Sequence, residues 1–275
     1  MLKTRVVTAV VLLAVLLPVL YFNNFYAFAL VATVFFGAAI WECFRLFNPG
    51  TQSAHVIALL WTAAFVAALL TNRLDTALWA ALSMALWIAR FAPSLKFGLP
   101  ALGTPSNTLL SLVYGFAVVG CFVAIVDLFS TSALYLLSVM AIVWIADIGA
   151  YFSGKAFGKR KLAPSISPGK SWEGAIGGGI AVLVIASLTV LFGGPALAET
   201  FPARVQQAFG WPALIAVLVV MTAASVVGDL FESQLKRRAG MKDSSNLLPG
   251  HGGVLDRIDA LIPVLPLAAL IGSRL

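Results

Sequence analysis

The feature that most restricts this chain is a succession of long apolar runs broken by short polar stretches, ending in the near-hydrocarbon "ALIPVLPLAALIG" at 260–272. A helix needs about 20 residues to cross roughly 30 Å of hydrocarbon. On that measure the runs predict nine spans near 6–22, 26–44, 55–71, 75–92, 108–128, 131–152, 173–193, 211–231 and 254–273. A β-barrel is excluded, because the segments are continuously apolar rather than alternating in roughly ten-residue pieces. Hydrophobic residues make up 61% of the chain and charged residues 11%, against about a quarter charged in an ordinary soluble domain. The fold class that follows is all-α, a polytopic integral membrane protein.

The first run, with Lys3 and Arg5 ahead of its apolar core, has the outline of a signal peptide. Its core is longer than the usual 7–15 residues or so and no small-x-small site follows, so it reads as the first span. Basic residues collect on the cytoplasmic side of membrane proteins. With the N-terminus inside, Lys3, Arg5, Arg45, Arg90, Lys96, Lys155, Lys159, Arg160, Lys161, Lys170, Lys236, Arg237, Arg238, Lys242 and Arg257 fall inside, and only Arg73, Arg204 and Arg274 outside. The net charge of +7 is mostly this bias, and no soluble basic domain is present to bind nucleic acid. Cys43 and Cys121 sit in different apolar spans, which gives no disulfide framework and makes them packing residues.

The chain divides into an N-terminal region of about five spans, 1–130, with short loops, and a C-terminal region, 131–275, with charged inside loops at 153–172 and 232–253. Of the eleven acidic residues, seven belong to the second region and map to the cytoplasmic side: Asp147, Glu173, Asp229, Glu232, Asp243, Asp256 and Asp259. Asp147 lies 16 residues beyond Thr131, about 24 Å along its helix and close to the inner surface. In "SVVGDLFESQLK", Ser225, Asp229, Glu232, Ser233 and Lys236 recur every three or four residues and share a helix face, as do Asp256 and Asp259 in "LDRIDA". Ionisable groups in a membrane helix need partners or a cation. Carboxylates converging from separate helices repel unless a positive charge lies between them. Oxygen-only ligands suit a hard cation such as Mg²⁺, whereas the two histidines, His55 and His251, are too far apart in sequence to suggest zinc. Structural salt bridges and snorkelling side chains are the alternative reading of the same charges.

The "PGHGGVLDR" run puts Gly250, Gly252 and Gly253 just before the last span, where free backbone N–H groups can approach a phosphate. A flexible capping loop is the alternative. In the 146–174 stretch, five cations accompany Asp147 and Glu173. They serve as phosphate contacts, topology determinants or lipid headgroup contacts. The "GKS" at 169–171 is not a P-loop, because Pro164 stands where the first glycine would be. Gly174 and Gly178 have the spacing of close helix packing and carry no chemistry.

The run Ser233, Lys236, Arg237, Lys242, Asp243, Pro249, Gly250, His251, Gly252, Gly253, Asp256, Arg257 and Asp259 resembles the signature of the phosphatidate cytidylyltransferases, or CDP-diacylglycerol synthases. Asp147, Ala150, Tyr151, Gly154, Ser167, Pro168, Lys170, Ser171, Glu173 and Gly174 resemble a second block of that family. The resemblance covers about 144–260. It implies transfer of cytidylyl from CTP to phosphatidate with Mg²⁺, K⁺ as a second cation, a homodimer, and a site facing the cytoplasm at a bacterial inner membrane.

On that reading Asp229 and Asp256 hold Mg²⁺, with Asp259, Glu232 or Ser233 completing the shell. Lys236, Arg237, Lys242 and Arg257 neutralise phosphates, the 250–253 backbone cradles one, and Asp147, Lys170 and Glu173 shape the nucleotide side. His251 is either a general base or a loop histidine bonded to a phosphate or carboxylate. Two other functions remain, a kinase with a similar inner-face site and a transporter, which fits a cytoplasmic-face charge cluster less well. A CTP-dependent polyprenol or phytol kinase would pass on the γ-phosphate, and a cation-coupled transporter would want its charges at the midplane.

Overall fold

The computed structural model describes residues 2–71 and 73–275, with the side chains of Leu2, Lys3 and Arg5 outside the description. The orienting charges of Lys3 and Arg5 therefore lie outside the described residues, as does Asn72 in the break after the third span. Every expected span is helical: α1 Leu2–Tyr21, α2 Phe25–Phe47, α3 Ser53–Leu70, α4 Thr76–Leu86 continuing through a π-helical turn Trp87–Phe91 into α5 Ala92–Phe97, α6 Pro105–Thr131, α7 Ala133–Phe157, α8 Trp172–Phe192, α9 Gly194–Leu197, α10 Phe201–Arg238, α11 Leu255–Ile258 and α12 Leu261–Gly272. Among the described residues seven of these helical segments are long and apolar enough to cross a membrane, while Val6–Tyr21 and Leu261–Gly272 are shorter.

Local chemistry sets the ends and bends. Asn24, Asp75, Thr104, Ser132 and Ser171 each accept from a backbone N–H of the first helical turn that follows. The π turn comes just before Pro93, which lacks an N–H and forces the preceding ladder to adjust. α10 kinks at Gly210, whose φ of 79° is followed by Pro212.

The sequence predicts a last span over 254–273 that Pro263 and Pro266 kink, and the structure goes further and breaks it at Asp259–Ala260. Pro263 cannot donate to the carbonyl of Asp259 four residues earlier. Gly228 of α10 packs there so closely that a Cβ would come within 2.5 Å of that carbonyl. α12 is then a core element: Ile262, Val264, Leu265 and Ala268 are fully buried.

The 153–172 loop also departs from expectation. α7 runs on to Phe157, five residues past the expected end of the span at 152, so Asp147 lies about 15 Å short of the helix end. Beyond it, β1 Lys161–Ala163 and β2 Ser167–Ser171 form an antiparallel hairpin that leads into α8. α7 and α8 pack backbone to backbone: a Cβ on Gly178 would come within 2.4 Å of the Ala146 carbonyl, and one on Gly174 within 2.9 Å of Ala150 O. Those glycines serve helix contact, as their spacing indicates.

An aromatic core fixes the rotation of α10. The fully buried Phe231 packs on Trp87, Phe91 and Tyr114 at centroid distances of 5.7, 4.9 and 5.0 Å. With Phe231 and Leu235 turned into that core, Asp229, Glu232, Ser233 and Lys236 face the other way.

Candidate active site

The polar residues of α7, β2, α8, α10 and the 241–259 segment gather at one end of the bundle. A cleft of about 400 Å³ opens between α7, the hairpin, α8 and α10, lined among others by Asp147, Tyr151, Lys155, Lys170, Ser171 and Asp229. Lys170 forms an ion pair with Asp229, both side chains being about a quarter exposed, and Ser233 Oγ stands 3.4 Å from Asp229 Oδ1. Asp147 is within electrostatic reach of both Lys170 and Asp229.

A second, drier centre adjoins the cleft. Lys236 Nζ lies 2.6 Å from Asp256 Oδ1 and 2.5 Å from Glu232 Oε2, the latter a coulombic contact without hydrogen-bond alignment. Asp259 links the two centres, within electrostatic reach of Asp229, Lys236 and Glu232. Asp256 Oδ2 accepts from Ser244 N and Gly253 N, both at 2.8 Å, and shares the one hydroxyl proton of Ser244 (2.9 Å) with Glu42, which leaves spare capacity mainly on Oδ1. Burial pushes the Asp256 carboxyl up, but Lys236 and the Gly253 and Ser244 amides outweigh it and hold its pKa below the ordinary carboxylate value.

Several expectations change on this geometry. The four carboxylates Asp229, Glu232, Asp256 and Asp259 converge, yet among the described residues no three acidic, histidine or cysteine side chains stand ready as one ligand group. Lys170 pairs with Asp229, and Lys236 bridges Glu232 and Asp256. The donor set still fits a hard divalent cation: every donor is a carboxylate oxygen, and the buried Glu232 Oε1 has no partner at all.

The glycine loop is less open to phosphate than its sequence indicates. Gly253 N is spent on Asp256, Val254 N and Leu255 N on Glu42, and His251 N on Leu248 O at 2.8 Å. Gly250 and Gly252 adopt φ of 79° and 84°, shaping a tight turn closed by a Leu248–Gly252 bridge. His251 Nδ1 is buried without a partner, so the imidazole bonds neither of the neighbouring aspartates through that atom. Glu173 does not line the cleft. It accepts from Lys159 N, Arg160 N and Arg160 Nε at 3.1, 3.1 and 3.2 Å and ties the start of the hairpin to α8. Arg237, Lys242 and Arg257 are exposed, as phosphate contacts would be.

One buried carboxylate beside this site has no place in the sequence motifs. Glu42 of α2 is fully buried and accepts from Ser244 Oγ, Ser245 Oγ, Val254 N and Leu255 N. Its signal was a lone carboxylate inside an apolar run with Arg45 three residues on, a pairing that needs a reason in a membrane helix.

The sequence profile described as "Cytidylyltransferase family" matches residues 3–274. The chain belongs to this family. It is 40% identical to a phosphatidate cytidylyltransferase of Haemophilus influenzae over 97% of this chain and 96% of that protein. A Pseudomonas aeruginosa protein of the same name is 53% identical over 49% of this chain and 45% of its own length. One from Bacillus subtilis is 39% identical over 53% of this chain and 49% of its own length. Family membership makes the chain a nucleotidyltransferase enzyme embedded in a membrane.

Proposed function

We propose that the chain transfers the cytidylyl group of CTP to phosphatidate, giving CDP-diacylglycerol and pyrophosphate. The observation that carries this reading is the junction of an open cleft bearing Lys155, Lys170 and Asp229 with the drier Lys236 centre at the same end of the bundle. A water-soluble triphosphate and a lipid headgroup can meet there. The names of the similar proteins point to the same reaction.

A phosphate oxygen of phosphatidate attacks the α-phosphorus of CTP, and the bond from that phosphorus to the bridging oxygen of the β-phosphate breaks. The nucleophile is already anionic, so positioning and charge neutralisation matter more than a base. His251 is therefore not required as one. Lys155 and Lys170 meet the triphosphate in the cleft, and the exposed Arg237, Lys242 and Arg257 meet phosphates at its rim. Asp229, Glu232, Asp259 and Asp256 through Oδ1 would hold Mg²⁺. When bound, the ion supplies neutralisation of the triphosphate and of the leaving pyrophosphate. Glu173 keeps the hairpin, and with it Lys170, in place beside Asp147. The reading extends to K⁺ as a second cation, to a homodimer, and to a site on the cytoplasmic face of a bacterial inner membrane. The collection of basic side chains at this end of the bundle supports that orientation.

Labelled CTP tests the reaction. With detergent-purified protein, Mg²⁺ and phosphatidate, label in the α-phosphate passes to lipid and label in the γ-phosphate leaves as pyrophosphate. Transfer of γ-label to a polyprenol would make the chain a kinase, and CTP left intact would remove nucleotidyl transfer altogether.

A further inference from the structure

The 244–255 loop is held by a residue far away in the chain. Each oxygen of Glu42 takes two donors: Oε1 from Ser245 Oγ (2.5 Å) and Val254 N (3.0 Å), Oε2 from Ser244 Oγ (3.1 Å) and Leu255 N (2.6 Å). These partners lie 202 to 213 residues on in sequence. Three residues further along α2, on the same face, Arg45 donates to the Ser244 carbonyl at 2.9 Å. Ser244 donates its amide to Asp256 Oδ2, its single hydroxyl proton is shared between that oxygen and Glu42 Oε2, and Asp256 Oδ1 takes Lys236. α2 is thus joined to the Lys236 centre by an unbroken run of charge-assisted hydrogen bonds. The fit has no slack: a Cβ on Gly253 would come within 2.5 Å of Glu42 Oε1 and 2.1 Å of Ser244 Oγ.

We infer that Glu42 is a positioning residue for nucleotidyl transfer, fixing the 244–255 loop so that Asp256 and Arg257 are held in register with Lys236 and Glu232 of α10. Packing alone does not call for a carboxylate. An apolar side chain would fill the same space in α2 without desolvating a charge. What the carboxylate adds is three directed acceptor contacts and a share of the Ser244 hydroxyl proton, all to one loop, and no contact to the cleft. Glu42 therefore acts through Asp256. Its kinetic signature rests on the cytidylyl-transfer reading, and its structural signature does not.

The test compares full-length wild type with Glu42→Gln and Arg45→Met in detergent. A misplacement of about 1 Å at a reacting group costs on the order of 100-fold, so kcat of Glu42→Gln falls by about that factor. KM for CTP changes far less than kcat, because the Lys155 and Lys170 cleft is built without Glu42 and only Arg257 at its rim moves with the loop. Arg45→Met, which releases one loop carbonyl and a stacking contact with Trp41 but leaves the Glu42 contacts in place, shows a smaller fall in kcat. Hydrogen exchange supplies a readout independent of activity: in Glu42→Gln the amides of 244–255 exchange faster while those of α7 and α8 keep their protection. Unchanged kcat, or faster exchange over the whole chain, overturns the inference. Should wild type leave CTP and phosphatidate unreacted, the transfer reading fails by itself, and unchanged exchange at 244–255 in Glu42→Gln would still refute the positioning role.

Discussion

Replacing Lys236 with methionine keeps the length of the side chain and deletes its charge. In the structure that ammonium is the shared partner of Glu232 and Asp256, whose side chains are 0% and 4% exposed, and it is itself 11% exposed. Removing one partner from a buried ion pair costs about 3–5 kcal/mol, because the remaining charge is left uncompensated. Here two carboxylates lose their partner at once, which puts the loss at the upper end of that range. At roughly 2 °C per kcal/mol for a chain of this size, the thermal midpoint falls by about 10 °C. The assay is thermal unfolding of the detergent-solubilised protein followed by tryptophan fluorescence, with all variants compared at one scan rate. Lys236→Met combined with Glu232→Gln removes one stranded charge and recovers part of the loss. A Lys236→Met midpoint within about 2 °C of wild type, the scale of an indifferent surface change, would refute the buried bridge.

Neighbouring glycines of α8 give opposite outcomes. Gly178→Ala drives a methyl to within 2.4 Å of the Ala146 carbonyl and lowers the midpoint, whereas the Cβ of Gly179→Ala meets only Thr222 at 3.8 Å and leaves it unchanged or raises it. Gly253→Ala clashes with both Ser244 and Glu42 and abolishes turnover, which CDP-diacylglycerol formation measures directly. Glu173→Gln weakens the tie between α8 and the Lys159–Arg160 backbone, so proteolysis within 158–171 accelerates while the midpoint moves little.

How far this molecule can be read from its sequence differs from region to region. The helices follow from uninterrupted apolar runs, because a bilayer leaves few other ways to satisfy a backbone. The shared face of Asp229, Glu232 and Lys236 follows from helical spacing alone, and Phe231 turns it toward the site by anchoring the opposite face in aromatic rings. The break at Asp259–Ala260 was only half legible: Pro263 signals a kink, but its sharpness depends on the approach of Gly228, which is a tertiary fact. The hairpin at 161–171 was hidden, since strands of three and five residues with Pro168 in one of them leave no alternating pattern. Glu42 was hidden for a different reason. Its partners lie more than 200 residues away, and a single carboxylate in an apolar run names no partner. The same contact explains why the glycine loop, read as a phosphate cradle, has its amides at 253–255 turned to the protein's own carboxylates.

The central claim is that cytidylyl transfer takes place where the Lys170–Asp229 cleft meets the Lys236 centre. Pyrophosphate release by the purified full-length protein, measured with CTP, Mg²⁺ and phosphatidate beside the Asp229→Asn variant, tests it most directly. Both Asp229 and Lys170 are partly exposed, so the variant folds with Lys170 merely unpaired. The account predicts release that requires both substrates in wild type and disappears in Asp229→Asn at an unchanged thermal midpoint. Release at the wild-type rate in that variant, or release without phosphatidate, would contradict it.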